Sequence, residues 1–326
     1  MKVAVTGAGG FIGRYLVRAL LTQTSPQEIS CLVRSPDQRA DLESLGVRVV
    51  MGSLAEPGAL ADLCRDADVV FHLAARVRYG IHSSRDADFY ADNVQGTIHL
   101  IEACPASVRR FIHMSSVNAV ERAPADPCRT PLTEESLCRP QTPYGRSKLL
   151  SEEAVRRMAP GKNISFLILR PPSIVYGAGC NKKSGMAILI QAVSAGSLLT
   201  RINFPGRFSV LHVQDLIRET IRMGFLETLR NETFFLADEP PCSIPEISEE
   251  IARSLGLRRK PLVLPNGFYS AANRWLSPLM PFQILMLLRD QAAVSSEQAR
   301  LLAGFSTRVS LSEGLKETIP WVLGRS

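Results

Sequence analysis

The sequence is short of lysine. Of its 38 cationic side chains only seven are lysines (2, 148, 162, 182, 183, 260 and 316) against 31 arginines, so a lysine that stands where chemistry would want one is informative. It has no Cys-x-x-Cys pair, and its seven cysteines (31, 64, 104, 128, 138, 180 and 242) are odd in number. That fits reduced thiols in a cytoplasmic protein better than a zinc or disulfide framework. No His/Cys/Asp/Glu cluster has metal-ligand spacing, so no metal is expected. The longest basic run is Arg258, Arg259 and Lys260, too short for the one-sided positive face of a nucleic-acid binder. The net charge of +7 then points to small anionic ligands. Long apolar runs are missing too. Residues 278–288 (PLMPFQILMLL) fall short of the ~20 residues that span a bilayer and contain a proline, so they read as a core or subunit-contact helix. The start, MKVAVTGAGGFIG, is broken by glycines before a signal-peptide core could form. There is no internal repeat and no low-complexity tract.

What is present is enough apolar residue for a large core: 326 residues, 45% hydrophobic and 21% charged. Single cores stop growing near ~250–300 residues, which predicts one large lobe and a smaller one. The first half alternates β-branched runs at 2–6, 29–33, 47–51, 68–73, 110–114 and 164–169 with amphipathic stretches at 11–22, 36–45, 57–64, 86–104 and 143–158. This βαβ rhythm predicts an α/β fold, a Rossmann-type doubly wound parallel sheet. After Arg170 the rhythm changes. Helical patterns at 185–195, 213–227, 244–255, 279–289, 296–303 and 311–322, with a strand near 233–236, read as a smaller, mostly helical C-terminal substrate lobe. The expected division is 1–170 for a dinucleotide-binding domain and 171–326 for the lobe, some of whose strands or helices return to the sheet.

Strand 2–6 runs straight into TGAGGFIG and then into an apolar helix. Gly7 allows the tight turn, Gly10 lets the backbone approach a pyrophosphate, and Gly13 allows close helix–strand packing. The helix N-terminus offers free N–H groups and a positive dipole end. An acid at the end of the second strand would bind the ribose 2′-hydroxyl of NAD, but Arg34 stands there. A guanidinium can take a 2′-phosphate as a forked pair, which favours NADP and leaves NAD possible.

PYGRSK puts Tyr144 and Lys148 four apart on one helical face. RFIHMSS ends a strand with Ser115 and Ser116, where ligands bind in this architecture. Interconverting ketone and alcohol needs a proton exchanged with oxygen while a hydride moves. The tyrosine pKa of ~10 is too high for that at neutral pH, and an ammonium ~5 Å away supplies ~3 kcal/mol toward lowering it. Ser116 can hold the reacting oxygen against the phenol. His72 and His113 lie in buried strands and read as structural.

TGAGGFIG, HLAA at 72–75, NVQGT at 93–97, the Ser116/Tyr144/Lys148 set, RPPSIVYGAG at 170–179 and LHVQDL at 211–216 occur in one order. In this the chain resembles extended short-chain dehydrogenases/reductases of the NAD-dependent epimerase/dehydratase type. The resemblance implies that Phe11, Ile12, Ser53, Leu54, Leu73, Ala74, Ala75, Asn93, Tyr144, Lys148 and Pro171 also line the cofactor, with Ser53 in place of a common aspartate. It also implies a homodimer pairing through helices near 86–104 and 143–158. Dehydratases of the family carry an acidic pair where Val117 and Asn118 stand here, which argues against elimination of water.

Two chemistries remain. One is a 4-epimerase-like reaction on a nucleotide- or polyprenyl-diphosphate-linked sugar, with Arg76, Asn118, Ser173 and Arg207 toward the substrate and Arg78, Lys182 and Lys183 as further cations for a diphosphate. The other is an NADPH-dependent ketone reductase resembling dihydroflavonol and 3-beta-hydroxysteroid enzymes. Ser173 replaces a frequent asparagine, and Phe208 stands where sugar-nucleotide enzymes often have arginine. A silent NADP-sensing protein on the same fold has no need of all three of Ser116, Tyr144 and Lys148.

Overall fold

The computed structural model describes residues 1–77, 86–120, 131–258, 260–263 and 293–325. Arg78, Cys128, Arg259, the apolar run 278–288 and the helix expected at 279–289 lie outside them.

The first half builds β1 (Val3–Thr6), α1 (Phe11–Leu20), β2 (Ile29–Val33), α2 (Pro36–Glu43), β3 (Arg48–Met51), α3 (Pro57–Cys64), β4 (Val69–His72), α4 (Asp86–Phe89), α5 (Gly96–Ala103), β5 (Arg110–Met114), α6 (Pro143–Met158) and β6 (Ser165–Arg170). The second half adds β7 (Ile174–Tyr176), α7 (Gly185–Ser194), β8 (Arg207–Phe208), β9 (Val210–His212), α8 (Val213–Phe225), β10 (Glu232–Phe235), β11 (Cys242–Ser243), α9 (Ile244–Ser254), α10 (Glu297–Ala303) and α11 (Leu311–Leu323).

Seven strands form one parallel sheet in the order β10-β6-β5-β4-β1-β2-β3. Side chains alternate between its two faces, as the strand period requires. Val3, Val5, Val69, Phe71, Ile112 and Leu167 meet α1 and α8 on one face. Ala4, Val70, Phe111, Phe166 and Ile168 meet α3, α5 and α6 on the other. Burial on both faces is the condition for an all-parallel sheet. The strand order reverses between β1 and β4, so the crevice at their carboxyl ends is a topological switch point, where ligands bind in such sheets.

Beyond Arg170 the chain does not stay in one lobe. β10 joins the sheet as an edge strand beside β6, and α8 packs on the sheet next to α1. The Arg110 guanidinium accounts for the end of α8 at Phe225, since it donates to the carbonyls of Met223 (3.1 Å) and Leu226 (2.9 Å) and to that of Leu229. The remainder forms a second core of Tyr176, Met186, Ile190, Ile247, Ile251, Leu315 and Ile319. It is less purely helical than expected, because β7 pairs with β9 and β8 with β11. These strands are two or three residues long, too short for an alternating pattern to register.

One expected helix is interrupted. Between α4 and α5, residues Tyr90–Gln95 form a π-helical turn, and this wider turn carries buried Asn93. Among the described residues no helix is long and apolar enough to cross a membrane.

Candidate active site

The glycine turn is shaped by contacts that leave no room for side chains. Gly7 has φ +74°, and a Cβ there would stand 2.6 Å from the Ala74 nitrogen. At Gly13 a Cβ would meet the Gly7 carbonyl oxygen at 2.1 Å, so α1 rests directly on the turn. Gly10 is the N-cap of α1 and offers no side-chain cap, and the first turn holds no acid. The helix therefore opens with uncapped N–H groups at Phe11 and Ile12 and a positive dipole end, which suits an anion. Phe11 also reaches across to the second core.

A hydrogen-bonded chain braces this turn from beneath. Thr97 Oγ1 donates to the Asn93 carbonyl (2.6 Å), so it accepts from His72 Nε2–H (2.8 Å). His72 Nδ1 is then bare and accepts from Thr6 Oγ1 (2.7 Å), which accepts from the Ala74 N–H (3.2 Å). Burial, together with the charge of Lys148, pushes His72 down to about 3, so the ring is a neutral strut. His113 is likewise buried and held well below its ordinary value, first by burial and then by Lys148.

The other cofactor candidates divide by what their polar groups already do. Asn93 holds the backbone of Arg76, accepting from its N–H (2.7 Å) and donating to its carbonyl (3.1 Å), and donates to Ser147 Oγ (2.8 Å). It fixes the segment Leu73–Ala74–Ala75–Arg76 after β4. Ser53 Oγ donates to Glu56 Oε1 (2.8 Å), so it closes its own loop, while half-buried Leu54 packs against Gly96. Arg34 is exposed at the end of β2 and makes no hydrogen bond or ion pair with the described residues. The neighbouring Ser35 caps α2.

The Ser116, Tyr144 and Lys148 segments converge where β5 and β6 end and α6 begins. Thr142 caps α6 by accepting from the Gly145 N–H (3.0 Å), and Pro143 occupies its first turn. A Cβ on Gly145 would stand 2.3 Å from the Asn118 carbonyl oxygen, so the start of α6 lies against the turn that follows Ser116. Val117 N–H donates to the Pro171 carbonyl (2.9 Å), and Ser173 Oγ to Asn118 Oδ1 (2.8 Å), joining the ends of β5 and β6. Ser116 Oγ accepts from the Asn118 N–H (3.2 Å), which leaves its own proton to point elsewhere. Half-buried Tyr144 has Phe89 beside it, with ring centroids 6.3 Å apart.

Lys148 is 1% exposed, and its ammonium donates to the Met114 carbonyl at 2.7 Å. Burial pulls its pKa down to about 8, against a partial upward pull from Glu152. Glu152, Arg170 and Ser115 form a buried cluster just behind it. Motif reading did not assign Glu152 or Arg170. The signal was a carboxylate four residues after Lys148 on a helix face that buries Ser147, Lys148, Ser151 and Val155.

Two of the cations assigned to a substrate diphosphate are already engaged. Arg76 pairs with Asp92 at 2.7 Å. Arg207 pairs with Glu246 at 3.2 Å and donates to the Pro241 carbonyl. Lys182 and Lys183 are exposed before α7.

Known proteins share this architecture. The chain is 28% identical over 330 residues to a ceramide reductase of Caulobacter vibrioides, covering 98% of this chain and 93% of that one. It is 26% identical over 341 residues to a 2-alkyl-3-oxoalkanoate reductase of Stenotrophomonas maltophilia (97% and 98% covered). With a UDP-glucose 4-epimerase of Vibrio cholerae it shares 24% over 323 residues (97% and 94%). Among solved structures, UDP-glucuronic acid 4-epimerase from Bacillus cereus in complex with NAD superposes with a TM-score of 0.77 at 24% identity, covering 100% of this chain and 99% of that one. Residues 3–224 match the NAD dependent epimerase/dehydratase family, and the chain belongs to that family.

Proposed function

We propose that the protein reduces a ketone to a secondary alcohol with a nicotinamide dinucleotide, NADPH in preference to NADH, and that Ser116, Tyr144 and Lys148 carry the reaction. The observation that carries this reading is the buried Lys148 ammonium one helical turn from Tyr144, on a helix seated against the turn that follows Ser116. The glycine turn fits a dinucleotide, since Gly7 and Gly13 let the turn and α1 pack backbone against backbone, and α1 begins uncapped at Gly10, which has no side chain to block a phosphate. When bound, the dinucleotide supplies the hydride.

The rest falls to side chains. Ser116, whose oxygen already accepts from Asn118, donates its proton to the substrate oxygen and orients it. The Tyr144 phenol delivers the proton that this oxygen needs. Lys148 holds the resulting phenolate by its charge, a contribution of roughly 3 kcal/mol at ~5 Å and an effective dielectric of ~20. Two of its three N–H groups remain for ribose hydroxyls, because Met114 takes only one. Exposed Arg34 can take a 2′-phosphate, and exposed Tyr90 beside α4 and exposed Leu150 midway along α6 support a homodimer through those helices.

The pairing of Arg76 with Asp92 and of Arg207 with Glu246 supports a ketone over a sugar diphosphate, which would compete with those carboxylates for the two guanidinium groups. A 4-epimerase reaction is the second reading, favoured by RPPSIVYGAG and by the likeness to a UDP-glucose 4-epimerase. The test is to offer NADPH with 3-oxoalkanoates and cyclic ketones in one set of assays, and UDP-glucose with NAD in another. Consumption of NADPH with alcohol formation is expected. Interconversion of UDP-glucose and its 4-epimer without net NADPH use would replace the first reading by the second.

A further inference from the structure

Glu152 is fully buried one helical turn beyond Lys148. Its Oε1 accepts from Ser115 Oγ and from Arg170 Nε (2.9 Å), and its Oε2 from Arg170 Nη2 (2.7 Å) and Arg156 Nη2 (3.0 Å). Arg170, itself 2% exposed, lies over the Phe235 ring at 5.4 Å. Ser115 is the residue before Ser116, and Arg170 the residue before Pro171. One carboxylate thus binds the end of β5, the end of β6 and the middle of α6, the three segments that make the site. A buried ion pair adds little net stability over an apolar pair of similar volume. Four charge-assisted hydrogen bonds from three chain segments do define position.

We propose that Glu152, held by Arg170, is a positioning residue that fixes the strand end bearing Ser116 against the helix turn bearing Lys148 and sets a negative charge behind that ammonium. The role in turnover rests on the oxidoreductase reading, whereas the effect on Lys148 does not. The titratable groups that act on Lys148 are His72 from β4 and His113 from β5, both neutral, and Glu152 from its own helix, where Tyr144 precedes it by one turn. Arg170 and Arg156 act on Glu152. Burial works to raise the Glu152 pKa, but the hydrogen bonds and charge of Arg170 outweigh it and keep the residue ionised. Without that carboxylate, Lys148 would face burial unopposed, with the Arg170 charge uncompensated nearby.

The scarcity of lysine makes a direct test practical. In the full chain with isotope-labelled lysine, seven side-chain signals can be followed by NMR through a pH titration, and that of Lys148 identified by its loss in Lys148→Met. In Glu152→Gln, with circular dichroism unchanged, the Lys148 midpoint is expected to fall by about one pH unit or more. Glu152→Asp, which keeps the charge and draws it back by one methylene, should restore most of that midpoint. In the ketone assay Glu152→Asp should still lose kcat about tenfold at unchanged KM for NADPH. Because Glu152→Gln strands a buried guanidinium, the double variant Glu152→Gln/Arg170→Met gives a second form without an unpaired charge, expected to show a smaller fall in the same direction. An unchanged Lys148 midpoint in Glu152→Gln, or in the double variant where Glu152→Gln does not fold, overturns the proposal. Absence of turnover in every form, with the midpoint shifted, would instead refute the ketone reading alone.

Discussion

Replacing Lys148 by methionine should make the ligand-free protein more stable at neutral pH. The side chain is fully buried, and its pKa stands at about 8 in the fold against 10.5 in the unfolded chain. A depressed lysine pKa means that the unfolded state binds more protons between those values, so stability rises with pH across that window. Below pH 8 the cost of the buried ammonium is fully present, roughly 3 kcal/mol for a displacement of that size. Methionine removes the charge at similar volume but leaves the Met114 carbonyl without its donor, which returns about 1 kcal/mol. The net expectation is a gain of about 2 kcal/mol at pH 7 that has closed by about pH 10. Urea unfolding of both proteins without dinucleotide, at both pH values, measures it. The difference between them cancels the titration of tyrosines and cysteines in the same range. A variant less stable than the parent at pH 7, or a gap independent of pH, would refute the reasoning. Saturating dinucleotide should reverse the order, because a ligand that uses the ammonium stabilises only the parent.

Three further outcomes follow from particular contacts. Gly13→Ala places a methyl 2.1 Å from the Gly7 oxygen, so α1 must move about an ångström and dinucleotide affinity, by calorimetry, should fall at least about tenfold. Thr97→Val leaves the buried His72 Nε2–H without its acceptor and should lower unfolding free energy by about 1–3 kcal/mol; a change under about 0.5 kcal/mol would contradict the strut. Arg34→Asp should reverse the order of NADPH and NADH affinities, with NADPH weakened about tenfold or more. Unaltered selectivity in competition binding would remove Arg34 from the 2′-phosphate.

Sheet and helices were legible wherever a period could be counted. The strands β1 to β6, and helices such as α6, begin and end within a residue or two of the expected bounds, since each carries an apolar pattern and a cap such as Thr142. The turn of π-helix at Tyr90–Gln95 was not legible, because its sequence keeps helical spacing on both sides. The strands β7, β8, β9 and β11 are too short to alternate. In the site, what could be read was local spacing: Gly7 to Gly13, and Tyr144 to Lys148. What could not be read was partnership across the chain. Arg76 and Arg207 were legible as charges, but Asp92 and Glu246 decide what those charges do. The Glu152–Arg170 pair joins residues eighteen apart in sequence through two elements whose contact only the folded sheet creates.

The central claim, that Tyr144 transfers the proton in a hydride reaction at this site, is tested most directly by measuring ketone turnover and dinucleotide affinity together in Tyr144→Phe. The account predicts a fall in kcat of about a hundredfold or more with dinucleotide affinity within about threefold of the parent, since Lys148 and the glycine turn are untouched. A variant that turns over as fast as the parent would contradict it.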